Sequence, residues 1–90
     1  MTVELTFDLA LELKFLVTHQ LPLSLKQAIG ERKNEIHASL THDLRSPYRL
    51  AGSWTFELDN GDTFGVFFVS DLRQRSSELQ PLRVTYIEKL

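Results

Sequence analysis

Residues 54–69, WTFELDNGDTFGVFFV, decide the fold because they hold two apolar stretches separated by a turn signal. In the first stretch Trp54, Phe56 and Leu58 alternate with polar residues, a period of two that is typical of a half-buried strand. The second stretch is apolar on both faces from 64 to 69, which indicates a central strand covered on both sides. Together the two stretches predict a β-hairpin.

The length of the hairpin loop follows from the parity of the apolar positions in the two strands. A two-residue loop, Asn60–Gly61, would set the apolar faces against each other. A three-residue loop over 59–61 places them on the same side of the sheet, and it puts Gly61 at the left-handed position that such a loop requires. We therefore predict the three-residue loop. The expected pairs are Phe56 with Phe64 and Trp54 with Val66.

The N-terminal region combines the pattern of a strand with the composition of a helix. Apolar residues occupy every odd position from Val3 to Val17, a run too long for an ordinary strand. Residues 9–16 favour helix by composition, and Asp8 is a suitable N-cap. We predict a strand over 2–7 and a helix over 9–19. The alternative is a hairpin that turns near Asp8, which would make residues 9–17 a strand and the chain a small β-grasp module.

A second helix is predicted from about 24 to 40, after Pro22 has ended the first one. Ser24 can cap this helix, whereas Gly30 weakens its middle by roughly 1 kcal/mol relative to alanine. The two helices, joined at Leu21–Pro22, would form an antiparallel helical hairpin.

Two polar loops and a final strand complete the chain. The loops span 41–48 and 70–81, and the strand runs from Leu82 to Ile87, with Val84 and Tyr86 on one face. The predicted fold class is therefore α+β in a single domain over 1–90. Its expected architecture is an N-terminal strand, a two-helix hairpin and a three-stranded antiparallel meander.

Composition excludes several kinds of site and partner. The chain has 90 residues, enough for one small domain, and no cysteine, which excludes disulfides, thiolate metal sites and cysteine nucleophiles. Ten basic and twelve acidic residues give a net charge of −2, whereas domains that bind nucleic acid through its phosphates are usually basic. The sequence has neither an apolar run long enough for a membrane span nor a basic signal region. We therefore expect a cytoplasmic location and no membrane partner.

Several short segments follow one another in an informative order. They are the strand Val3–Phe7, the Leu21–Pro22 break, Ser46–Pro47, Leu50–Trp54, and Gly61–Asp62 leading into Val66–Phe68. In this order the chain resembles the RelE/ParE toxin superfamily of bacterial toxin–antitoxin systems, and the resemblance covers nearly the whole chain. It implies an α+β toxin that cleaves mRNA on the ribosome or inhibits DNA gyrase, neutralised by an antitoxin that wraps the domain. The RelE branch usually carries an arginine just after the hairpin turn, where this chain has Gly65, so the resemblance implies reduced or lost endoribonuclease activity.

Six side chains are the candidate site residues. Tyr86 matches an aromatic residue near the last strand of the RelE branch, so the resemblance implies a catalytic role. The structural alternative is a half-buried strand tyrosine. Five arginines lie in or beside the two loops, and together they would bind nucleic acid or an acidic partner; otherwise they are scattered, solvated charges. These are Arg45, Arg49, Arg73, Arg75 and Arg83.

No cofactor or metal site is expected. His37 and His42 are five residues apart, whereas two ligands on one helix face need a spacing of three or four. Asp59 and Asp62 lie in a turn, where such residues ordinarily bond the backbone. The lack of an acid–base constellation supports a second hypothesis, a non-enzymatic interaction domain or self-associating module that forms a homo-oligomer. A basic groove near Tyr86 would favour the toxin hypothesis, and an apolar patch without such a groove the second.

Overall fold

The computed structural model describes residues 2–8 and 22–90. Within these residues the chain forms five strands, two helices and one short 3-10 helix. In chain order they are β1 (Thr2–Phe7), α1 (Leu23–Glu31), α2 (Lys33–Ser39), β2 (Thr41–His42), β3 (Arg49–Glu57), β4 (Thr63–Asp71), the 3-10 helix (Leu72–Gln74) and β5 (Leu79–Lys89).

The strands form one five-stranded sheet in the order β1-β5-β4-β3-β2. β1 runs parallel to β5, and every other neighbouring pair is antiparallel. The predicted α+β class is confirmed, but a five-stranded mixed sheet replaces the expected three-stranded antiparallel meander. The alternation of apolar residues predicts a strand but does not show which strand lies beside it. β2 has only two residues, too few for such an alternation to be seen.

The central hairpin has the predicted register. Phe56 pairs with Phe64 and Trp54 with Val66. The Leu58 amide donates to the Asp62 carbonyl over 2.8 Å and closes the loop. Gly61 has a φ of 91°, in the left-handed region that glycine adopts without steric cost. The residues of the hairpin therefore specify its register locally.

The predicted helix over 24–40 is present as two helices that meet at Arg32. The first begins at Leu23, and its N-cap is Pro22 rather than Ser24, so no side chain caps the helix. The break follows Gly30, a residue that lowers helix stability. The predicted helix over 9–19, its break at Leu21–Pro22, and the alternative strand over 9–17 all lie outside the described residues.

The hydrophobic core lies between the two helices and one face of the sheet. Leu25, Ile29 and Ile36 are fully buried there, and Trp54 packs against the same cluster. The Trp54 Nε1 donates a hydrogen bond to the Ser39 Oγ over 3.0 Å, which ties β3 to the end of α2. The sheet residues of this core are Val3, Phe56, Phe64, Val66, Phe68, Leu82, Val84 and Ile87.

A bulge in β5 changes which face its side chains occupy. Phe67 pairs with Tyr86 and Phe68 with Val84, so Thr85 is an extra residue without a partner on β4. Val84 is therefore buried, whereas Tyr86 is 48% exposed on the opposite face. The prediction that Val84 and Tyr86 share a face is wrong, because an unbroken period of two does not allow for an inserted residue.

Candidate binding face

The face of the sheet that points away from α1 and α2, here called the open face, carries exposed and half-buried side chains. The expectation that β4 is covered on both sides is therefore wrong, because Phe67 is 41% exposed on this face. The open face comprises Arg49, Ala51, Ser53, Thr55 and Glu57 of β3, Gly65, Phe67, Val69 and Asp71 of β4, and Arg83, Tyr86 and Glu88 of β5.

Two aromatic rings lie at the centre of the open face. The centroids of the Phe67 and Tyr86 rings are 5.6 Å apart and their planes are tilted by 58°, a favourable geometry for an aromatic pair. The bulge at Thr85 produces this pair, since it turns Tyr86 toward Phe67. The rings supply an exposed apolar surface, and the Tyr86 hydroxyl a single polar group.

A groove of about 440 Å³ runs beside the Phe67 ring. Arg45, Arg49 and Arg83 contribute its cations, and Ser53 and Thr85 its hydroxyl groups. Arg49 and Arg83 also line a smaller adjoining pocket of about 60 Å³. The structure thus brings three of the five candidate arginines to one groove, next to the ring pair that includes Tyr86.

Two arginines near the open face are already engaged by carboxylates. The Arg73 guanidinium donates to both Asp71 carboxylate oxygens, over 3.1 and 2.9 Å, and these hydrogen bonds lower the pKa of Asp71 to about 2. The pKa of Asp43 is lowered as well, chiefly by a hydrogen bond from the Arg45 backbone amide. Both carboxylates therefore remain ionised at neutral pH and offset these two cations.

Arg49 and Arg83 form no salt bridge within residues 2–8 and 22–90, although both are exposed. They lie on β3 and β5, with β4 between them, and both line the groove and the smaller pocket, which Asp71 also lines. Charge-assisted contacts from guanidinium groups are the strong ones for carboxylates and phosphates. These two arginines are therefore the candidate groups of the groove for binding an anion.

Two of the predicted arginines do not join the groove. Arg73 lies over the Tyr48 ring, 5.3 Å from its centroid. Arg75 acts on His37, whose pKa is lowered first by burial and secondly by the charge of Arg75. Conversely, sequence reasoning missed Phe67 as a site residue. Phe67 lies in a continuous apolar run, which indicated a buried position. Only the structure shows that the Phe67 ring is exposed on the open face and can contact a partner.

The described residues contain no group of three or more side chains suited to hold a metal ion. No described helix is long and apolar enough to cross a membrane. The chain matches no family model, no curated protein and no solved structure. The open face is therefore the principal basis for assigning a function.

Proposed function

We propose that this chain is a toxin-like domain of the RelE/ParE type that acts by binding a protein rather than by cleaving RNA. The open face is its partner surface, and an antitoxin that covers this face neutralises it. The observation that carries the proposal is that one exposed sheet face combines two unpaired arginines with the Phe67–Tyr86 ring pair.

The order of the elements supports this proposal. A strand, helices and then further strands follow one another, as the resemblance to the toxin superfamily implies. The two described helices pack on one face of the sheet, and within residues 2–8 and 22–90 no helix packs on the other face. Apolar rings surrounded by charged groups are typical of protein-binding surfaces.

The ionisable groups of the groove argue against RNA cleavage by this chain. General acid–base catalysis needs a group whose pKa lies near the working pH and within reach of the reacting atoms. Asp43, which lines the groove, has a lowered pKa, and neither His37 nor His42 lines it. In addition, Gly65 stands where the RelE branch usually has an arginine. The catalytic role inferred for Tyr86 thus becomes a role in binding.

The test is expression of the full chain in a bacterium, with growth rate and mRNA integrity measured in the same cultures. We expect slower growth with intact mRNA, and recovery when the small protein encoded by a neighbouring gene is co-expressed. Normal growth, with no neighbouring partner gene, would contradict the proposal. Slower growth with rapid mRNA cleavage would identify the chain as a ribonuclease instead.

Matched variants separate an effect of the open face from a general loss of folding. Arg83→Ala and Phe67→Ala each remove one exposed contact of this face, and we expect both to restore growth. Arg32→Ala removes an exposed arginine of the helical layer, whose side chain is 57% exposed, and should leave the growth defect unchanged. Equal effects of all three variants would show that the open face is not the toxic surface.

One observation favours a second candidate function, that of a non-enzymatic interaction module. Three of the large apolar side chains that remain exposed are Phe67, Tyr86 and Leu90. Leu90 lies 3.8 Å from the position that a Cβ of Gly65 would take, so it extends the apolar surface along the open face. Stable association with a protein in cells that grow normally would identify this function.

A further inference from the structure

The charges of the open face are arranged symmetrically about the Phe67–Tyr86 pair. On β3, Arg49 and Glu57 lie at the two ends of the strand, each four residues from Ser53, the partner of Phe67. On β5, Arg83 pairs with Val69 and Glu88 with Gly65, and those two β4 residues each lie two positions from Phe67. Both strands therefore carry a cation toward one end of the open face and an anion toward the other.

These four charges have no ion-pair partner among the described residues. The ion pairs there are Arg32–Glu35, Arg45–Asp43, Arg73–Asp71 and Lys89–Asp62. All four side chains are exposed and can contact a second molecule, although the charge of Arg49 also acts on Asp43 and Asp71.

We propose that two copies of this chain pack face to face through their open faces, related by a two-fold axis that crosses the strands at Phe67 and Tyr86. This rotation reverses the direction of the strands. Arg49 of one copy then faces Glu57 of the second copy, and Arg83 faces Glu88. A two-fold interface repeats each contact, so all eight charges find a partner of opposite sign.

The same axis brings apolar groups of the two faces together. Val69 of one copy faces the Gly65 position of the second copy, where the Leu90 side chain lies 3.8 Å from the place of a Cβ, so apolar groups meet there. The Phe67 and Tyr86 rings meet their own counterparts at the centre, where aromatic pairs add stability. Charges of like sign at the facing positions would have made the face incompatible with a second copy.

The area of the open face indicates which class of interface two copies can form. Three neighbouring strands of about nine residues cover roughly 14 Å by 30 Å in each copy. Two aligned sheets pack about 10 Å apart, and this footprint of roughly 420 Å² per copy is below that of stable interfaces and within the range of weak, transient ones. We expect a reversible dimer that weakens at high salt, since its charge pairs lie at the rim.

Self-association does not depend on the proposed toxin activity. It gives the interaction module a defined partner, a second copy of the chain. Because the same surface serves both contacts, a second copy and any other protein compete for it. Dimerisation would therefore keep the open face covered until another partner displaces the second copy.

The test is sedimentation equilibrium of the purified full chain at low salt, over micromolar to millimolar concentrations. We expect the wild-type chain to dimerise and the dimer to dissociate as salt is added. Arg49→Glu and Glu57→Arg should each weaken the dimer at least tenfold, since each places like charges opposite each other. An equimolar mixture of the two variants should dimerise about as well as the wild type, because opposite charges face each other again at both contacts.

Two further measurements make the outcome decisive. Arg32→Glu makes the same change of charge on the helical layer and should leave dimerisation unchanged. Circular dichroism of each variant shows whether it is folded. A wild-type chain that stays monomeric, or a mixture that associates no better than either variant alone, would overturn the proposal. So would tight binding of single-stranded RNA by a monomer that Arg49→Glu abolishes. A negative growth assay leaves these results unaffected, because they use the purified protein.

Discussion

Gly61 is the residue on whose backbone conformation the central hairpin depends most. Its φ of 91° is disfavoured for any residue with a Cβ, and a Cβ placed there meets no atom within 4 Å. Gly61→Val therefore destabilises the fold through backbone strain alone, by on the order of 1–2 kcal/mol. We expect the melting temperature to fall by several degrees, as measured by circular dichroism.

Two further variants serve as controls for this prediction. Asn60→Ala removes the bonds of the Asn60 side chain to Asp62, and it should cost less because both partners are accessible to water. At Gly30 a Cβ likewise meets nothing within 4 Å, but no positive φ opposes it, so Gly30→Ala should stabilise the helix by up to about 1 kcal/mol. Equal losses from Gly61→Val and Asn60→Ala would contradict the left-handed loop position.

His37 couples the stability of the fold to pH. Its Nε2 lies 3.5 Å from the Oγ of Ser70, which is 2% exposed. Burial, and secondly the charge of Arg75, lower the pKa of His37 from 6.5. The unfolded chain therefore binds a proton at this residue more readily than the folded chain does. This contribution to stability is fully present above pH 6.5 and is lost as pH falls through the lowered pKa of the folded state.

The prediction for His37 concerns the slope of stability against pH. We expect the free energy of unfolding to decline more steeply for the wild type than for His37→Gln as pH drops from about 7 to 5. Urea denaturation at several pH values measures both slopes. Arg75→Gln is a partial control, since it removes only the smaller cause of the shift. Parallel curves for wild type and His37→Gln would show that protonation of His37 does not affect folding.

The two helices depend on their packing against the sheet for stability. α1 has nine residues and α2 seven, lengths at which an isolated helix is unstable in water. Neither has a side-chain cap at its N-terminus. α2 has a single buried residue, Ile36, which is 0% exposed. That side chain therefore provides most of the apolar contact that holds α2 in place.

We expect Ile36→Ala to lower the free energy of unfolding by about 2–4 kcal/mol, through lost apolar burial and the cavity that it leaves. Leu23→Ala is the control, because Leu23 is 69% exposed and its truncation should change stability by no more than about 0.5 kcal/mol. Chemical denaturation of both variants gives the comparison. Similar small losses would mean that α2 is held by something other than Ile36.

In the molecule as a whole, the first and last strands are neighbours, and β1 forms one edge of the sheet beside β5. β1 pairs with β5 from Thr2 opposite Leu79 to Phe7 opposite Val84. The helices cover one face of this sheet, and the described residues leave the side chains of the other face exposed or half-buried. Domains usually bury each sheet face that carries apolar rings. This is why both proposals place a partner on the open face.

The sequence alone determined the features that depend on residues close together in the chain. The apolar period and the turn glycine were sufficient for the register of Phe56 with Phe64 and for the left-handed Gly61. Each of these follows from alternation and loop geometry within some 16 residues. Strand 2–7 was correct for the same reason.

Only the tertiary structure decided the features that depend on contacts between distant residues. It placed β1 beside β5, inserted Thr85 as a bulge that turns Tyr86 toward Phe67, and exposed the second face of β4. It also brought Arg49 and Arg83 to one groove while Asp71 engaged Arg73. A local sequence pattern shows which residues are apolar and which are charged. Which residues become neighbours across a sheet depends on packing between strands that are far apart in the chain.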